Sequence, residues 1–550
     1  MTTSSTFVRQ KRQEQATPPT LGLSPYIGPW TFEHASHLLR RGMFGPSYEQ
    51  IKWSVEVGLP ATIEKLFEEI PLPAPPINVV YQNDNQVAVG ETWINARYSQ
   101  GNLVDEMDYR ERSLFSWTIG LMIEEGISIR ERLTLFWHNH FPVEAILDPK
   151  FLYRYSNLLR SHAWGNFRDL VKEITVDPSM LIYLNGKQNS GEEPNENYAR
   201  ELLELFTIGK GPQIGPGDYT NYTEEDVKQF ARVLSGWRDY GFTTHESDGD
   251  FGAEFFPSRH DSGTKTLSHH FNNEVINNMG DQEYRHLIDI IFQQDEVARF
   301  ICRKLYRWFV FHEIDEDIET NVIGPMALEL IANDYEIREP LMSLLASEHF
   351  FEMKFPGVII KNPIEFMMSI YKPLKVSISQ VPDEKYYSWY RLFGFTDLMQ
   401  MTYYNVPQVA GWGAYYRAPL YYRDWINAST LPLRMDFSDT VIEEGIFPFQ
   451  ANGPKMQVDV LEFITSIDNP TDPNSVVEEF AKILFPKALS QVKLDLLKGV
   501  LIPGLPDFEW TAEYGEYAAN PNNSQLANAV RNKLRNLLKT MLKMSEFYLN

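Results

Sequence analysis

Apolar positions along this chain recur mostly every three or four residues. Val297, Phe300, Ile301, Leu305 and Trp308 make one such stripe, and Leu114, Phe115, Trp117, Thr118 and Leu121 another. Thr223 with Asp226 reads as an N-terminal cap, followed by Val227, Phe230, Ala231 and Leu234 on one face. Asp148-Pro149 places a cap residue before a proline at the first helical position, opening a helix with Phe151, Leu152, Tyr155, Leu158, Leu159 and His162. Ser128-x-x-Glu131 has the form of a capping box leading into Phe136-Trp137-His138-Asn139-His140-Phe141. Strand-like alternation is scattered, and neither a β-α-β rhythm nor a glycine-rich phosphate loop occurs. The pattern predicts a predominantly α, large multi-helix globular protein with long irregular loops and little strand.

Breaks in the period divide the chain. Pro71 to Val80 is proline-rich, Lys210 to Asn221 is Gly/Pro-rich, and His245 to Lys265 is polar with turn residues. The pattern restarts near Lys361-Asn362-Pro363, with a further break around Asp468 to Asn474. This reads as a flexible leader over 1–24, a main helical domain over 25–360 carrying the His and Glu motifs, and a C-terminal helical region over 361–550 packed on it.

Composition narrows the function classes. A chain of 550 residues, 43% hydrophobic and 13% aromatic, has ample material for large cores. Its 50 basic and 74 acidic residues give a net charge of -24, which argues against nucleic acid or an anionic membrane surface as the main partner. The single cysteine, Cys302, excludes an intramolecular disulfide framework and any multi-cysteine metal cluster. The Thr-, Ser- and Gln-rich start lacks the apolar segment of a classical signal peptide, and no run of about 18 apolar residues predicts a transmembrane helix. A cytoplasmic location is the default expectation.

Polar groups set in apolar sequence carry the candidate chemistry, because burying them costs free energy unless each finds a partner. On a continuous helix His138 and His140 project about 200° apart; in an extended turn before Pro142 both rings face one side and can chelate a metal. The ordinary alternative is one buried, hydrogen-bonded histidine and one at the helix end. Between Asn195 and Glu204, Glu196, Arg200, Glu204, Asn197 and Glu201 share an arc opposite a wide apolar face. That arc is either a solvated ion-pair ladder or the wall of an internal cleft with Glu201 or Glu204 as ligand or general base. His260-Asp261, near His269-His270, supplies a base and an acid or merely sets a turn. Tyr415, Tyr416, Tyr421 and Tyr422 crowd a segment suited to stacking on sugars, or to ordinary core packing.

Several longer motifs accompany these residues. They are Leu38 to Pro46, Phe136 to Phe141, Gly165 to Leu170, Pro178 to Leu184, Pro194 to Leu202, Thr223 to Trp237, His260-Asp261, Lys361-Asn362-Pro363 and Val409-Ala410-Gly411-Trp412. Over roughly residues 25 to 440 the chain resembles the bacterial family catalogued as domain of unknown function 1800. The resemblance implies no assigned activity, substrate or cofactor. It does imply export or an envelope location for many members, and a sulfatase-like protein of a neighbouring gene as partner.

Two expectations follow. The first is a helical enzyme whose cleft gathers His138, His140, Glu201, His260 and Asp261. Glu201, His260 and Asp261 would be its catalytic groups, and His138, His140 and Glu201 would hold a divalent metal for hydrolysis. The second is a non-catalytic envelope or surface protein that binds a partner or glycan through the Tyr415 to Trp425 region, its polar motifs serving as satisfied buried networks.

Overall fold

The computed structural model describes residues 21–246, 249–449 and 453–550. Most of the expected 1–24 leader therefore lies outside the described residues. Helices dominate, and the strands among the described residues form three two-stranded antiparallel pairs. The predominantly α expectation holds.

One cluster of buried apolar residues runs without interruption from Ala35 to Tyr548. It crosses position 360: the Leu103–Glu124 helix packs along Pro382–Leu398, with Phe115 stacked on Phe393 at 4.2 Å. Gly120 permits that approach, since a Cβ there would lie 2.5 Å from the Trp389 ring.

Capping decides where the helices begin. Thr223 and Asp226 form a reciprocal capping box at Glu224–Val233. Asp148 caps Pro149–Ser161 and also accepts hydrogen bonds from Tyr98 Oη and Thr243 N, both at 2.8 Å. Ser128 and Glu131 form only half of the expected box, Ser128 Oγ accepting the Arg130 N–H at 3.1 Å. The helix spans Arg130–His140, and Glu131 is drawn away into a buried two-pronged pair with Arg160 at 2.6 and 3.0 Å. A charge-assisted fork outweighs a single backbone cap.

Two of the irregular segments take part in short pairings. Gln213–Gly215 pairs with Asp218–Tyr219 inside the Gly/Pro-rich stretch, and Gly252–Phe255 of the polar loop pairs with Trp237–Tyr240 just before it. Such two- to four-residue ladders leave too little alternation to be seen in sequence.

Candidate functional site

The histidine helix is buried along its whole length and stays helical through His140. Its last three polar residues therefore point in three directions, and each holds a different distant segment. His138 Nε2 accepts the Tyr404 backbone N–H at 3.0 Å, so Nδ1 carries the proton and donates to Tyr155 Oη at 2.8 Å. Tyr155 in turn donates to the Phe141 carbonyl. Asn139 Oδ1 accepts the Trp412 N–H at 2.9 Å. Gly411 makes this possible: its φ is +96°, and a Cβ would stand 2.4 Å from Asn139 Oδ1.

His140 faces the end of the Asn195 segment. There the helix Glu196–Glu201 widens into a π-turn over Leu202–Thr207 and stops at Gly209, whose N–H returns to the Leu203 carbonyl at 2.9 Å. The carbonyls exposed at such an end need donors. His140 Nε2–H donates to Phe206 O at 3.0 Å, and Lys304 Nζ donates to Leu205 O at 2.9 Å. Lys304 also reaches His140 Nδ1 at 3.2 Å, fixing the imidazole as the neutral Nε2–H tautomer.

Burial sets the proton affinities here. It holds His138 down to about 3, and burial with the nearby Lys304 charge holds His140 well below its ordinary value. Burial and then the Arg307 guanidinium lower Lys304 to about 7. Both imidazoles are neutral, and the amine changes charge near neutrality.

His140 and Lys304 open on a cavity of about 200 Å³ lined also by Asn139, Arg307 and the rings of Phe136, Trp308, Tyr415, Tyr416 and Tyr421. Among the described residues, no Asp or Glu lines it. Behind the Trp308–Tyr415 wall, whose rings are 4.3 Å apart, lies more positive charge. Arg132 sits 5.4 Å over Trp308 and pairs with Glu365. Arg41, Lys361 and Arg434 are completely buried and donate to the carbonyls of Phe355, Phe547 and Lys361 respectively. Glu365 is the carboxylate whose charge acts on Arg41, Lys361 and Arg434 alike. Asn362 ties this layer to the pocket, forming a capping box with Glu365 and donating to Tyr415 Oη at 2.9 Å.

The other expected site residues lie in separate networks. Glu201 is half-buried, its carboxyl raised by burial and by Glu204, and among the described residues its carboxylate makes no hydrogen bond or ion pair. The neighbouring arc is the ion-pair ladder, with Glu196–Arg200 at 3.1 Å, Arg200–Glu204 at 3.8 Å and Glu224 added at 2.8 Å. His260 donates from Nδ1 to Ser235 O at 2.9 Å, and its Nε2 meets Glu283 at 3.2 Å beside the fully buried Lys265. Asp261 is clasped by Arg232 at 2.6 and 3.2 Å, which holds its carboxyl below the usual value.

The structure thus does not gather His138, His140, Glu201, His260 and Asp261 around one point. Both ring nitrogens of His138 and of His140 are occupied by protein partners. Among the described residues, the set of three His, Cys, Asp or Glu side chains within mutual ligand reach is Asp218, His269 and His270. Of the expected residues only His140 reaches the cationic pocket, where it meets the tyrosines of the second expectation.

Lys304 and Arg307 flank an apolar stripe, where basic residues ordinarily mark only the solvent side of a helix. Their spacing of three, on the face beside Ile301, Leu305 and Trp308, was the available signal. A larger cleft, about 420 Å³, is lined by Arg130, Arg160 and Arg338 together with Glu69, Glu336 and Glu339. Its charges are mixed in sign, so it has no comparable preference.

A protein-family model described as "Protein of unknown function (DUF1800)" matches residues 37–549. No curated protein and no solved structure matches the chain.

Proposed function

The chain belongs to the family described as protein of unknown function DUF1800, and on that premise we propose that its functional centre is the His140–Lys304–Arg307 pocket. The ligand is a small acidic molecule with a stackable face, such as a sugar or aromatic compound bearing a phosphate, sulfate or carboxylate. One observation carries this reading: a chain of net charge -24 builds a pocket lined, among the described residues, by two cations and no carboxylate. Tyrosine and tryptophan faces suit a ring, and Arg307 offers the forked donor geometry that oxyanions favour.

The chemistry assigned to the site centres on Lys304. An amine near 7 is available as a base or nucleophile at neutral pH, unlike a solvated lysine. The enzyme reading therefore stays, relocated from Glu201, His260 and Asp261 to Lys304. Metal-assisted hydrolysis at His138, His140 and Glu201 has no support from this arrangement, because each histidine's lone-pair nitrogen is already taken, by the Tyr404 N–H and by Lys304.

A second reading is binding without catalysis. What favours it is that His138, Asn139 and His140 hold backbone groups of Tyr404, Trp412 and Phe206, with the remaining ring nitrogens on Tyr155 and Lys304, as structural fasteners do. The sulfatase-like partner belongs to the same proposal, since sulfate is one of the anions that suit the pocket.

A thermal-shift panel tests the ligand class, using phosphate, sulfate and carboxylate esters of sugars beside their uncharged parents. Stabilisation by charged members alone supports the proposal. Equal or no response to charged and uncharged members overturns it.

A further inference from the structure

Away from the pocket, Asp218, His269 and His270 each offer a ligand atom within 4.8 Å of the other two. We propose that these three side chains form a site for a divalent transition metal of the zinc class. His270 Nε2 already meets Asp218 Oδ1 at 2.8 Å, and the His269 and His270 rings are centred 4.0 Å apart.

The arrangement is held from outside the ligand set. Asp226, fully buried, accepts the Ser268 N–H and hydroxyl at 2.7 Å each, and Ser268 Oγ then accepts the His270 N–H at 3.2 Å. Asn272 and Asn273, both at φ 55°, bend the chain back so that Asn273 N–H reaches Ser268 O at 2.9 Å. Asp218 arrives on the other side through its backbone bridge to Thr223. Thr223 and Asp226 are the capping box of one helix, so a single anchor positions both the carboxylate and the imidazoles. Fixed supports of this kind are what a metal site requires of its surroundings.

Two imidazoles and one carboxylate match the preferences of zinc and its neighbours, and not those of magnesium or calcium, which take mostly oxygen ligands. Tetrahedral zinc at about 2.0–2.2 Å from each ligand places ligand atoms roughly 3.4 Å apart. The His270–Asp218 contact must therefore open by about half an ångström. Three protein ligands leave a fourth position for water or a further donor, and the exposed His269 gives the ion an open approach.

Isothermal titration of the untagged, chelator-treated full chain with ZnCl2 and with MgCl2 tests this. The expected result is one equivalent of zinc bound at micromolar affinity or better, no magnesium bound, and at least a tenfold loss of zinc affinity in His269→Gln and in Asp218→Asn. His269 is exposed, so His269→Gln should keep the parent melting temperature in metal-free buffer and report on the ligand alone. Absence of a stoichiometric zinc equivalent overturns the proposal, as does an equivalent that both variants retain unchanged.

Discussion

Lys304 Nζ stands 3.2 Å from His140 Nδ1 and shares with that ring the two carbonyls at the end of the Leu202–Thr207 turn. A neutral imidazole and an amine that titrates near neutrality are thereby fixed side by side in the wall of a cationic pocket. This pairing gives the pocket a pH response of its own.

The first prediction concerns that response. With Lys304 at about 7, its amine is mostly neutral at pH 8, while a solvated lysine, near 10.4, remains charged. Competitive amine labelling followed by mass spectrometry should show half-maximal reaction of Lys304 near pH 7. Anion binding favours the ammonium, so affinity should be highest below pH 7 and fall as pH rises above it. Labelling of Lys304 with the profile of the bulk lysines would contradict the assignment.

His138 gives a second pH prediction. Its folded value, about 3, is depressed below the unfolded one of roughly 6.5. The unfolded chain thus binds the extra proton between those limits, and stability is lost as pH falls from about 6.5 towards 3. One such group costs about 1.4 kcal/mol per pH unit across that window. In urea titrations His138→Gln should start less stable at pH 7.5 and lose stability between pH 6 and 4 with a shallower slope. An unchanged slope would show that His138 does not hold off protonation.

Gly411→Ala should be strongly destabilising. The added Cβ meets Asn139 Oδ1 and the Asn139 carbonyl at 2.4 and 2.7 Å, in a backbone region that L side chains resist. Strain of about 1–3 kcal/mol is expected, with loss of the Trp412–Asn139 hydrogen bond on top. Urea midpoints measure it, and a variant as stable as the parent would mean the loop is free to move.

Glu365→Gln removes the carboxylate shared by Arg41, Arg132, Lys361 and Arg434. Breaking a buried pair this way costs about 3–5 kcal/mol. The same midpoint measurement applies; a loss below about 1 kcal/mol would show that these cations are balanced from elsewhere.

Much of the scaffold was legible in the sequence because caps and helical stripes are local. Asp148-Pro149 and Thr223/Asp226 mark helix starts whose hydrogen bonds depend on residues two or three positions away. Ser128/Glu131 failed for the opposite reason: Arg160, decisive for Glu131, lies 29 positions on. The site was legible only in part. His140 and Tyr415 were both singled out, yet nothing in either segment states that they share one cavity. Of the two readings open for His138 and His140, the helix runs through both and sends the rings to different neighbours; what keeps it from ending before Pro142 as an extended turn is packing from distant segments. His260 and Asp261 read as catalytic because Glu283 and Arg232, which satisfy them, are brought near only by the fold.

The central claim is that Lys304 and Arg307 make the pocket an anion site. Titration at pH 6.5 of the strongest stabiliser from the charged-ester panel, into the parent and into Lys304→Met and Arg307→Gln, tests it directly. Both variants should keep the parent fold by circular dichroism and lose at least tenfold in affinity, with the uncharged parent compound binding weakly to all three. Equal affinity of parent and variants for the charged ester would contradict the account.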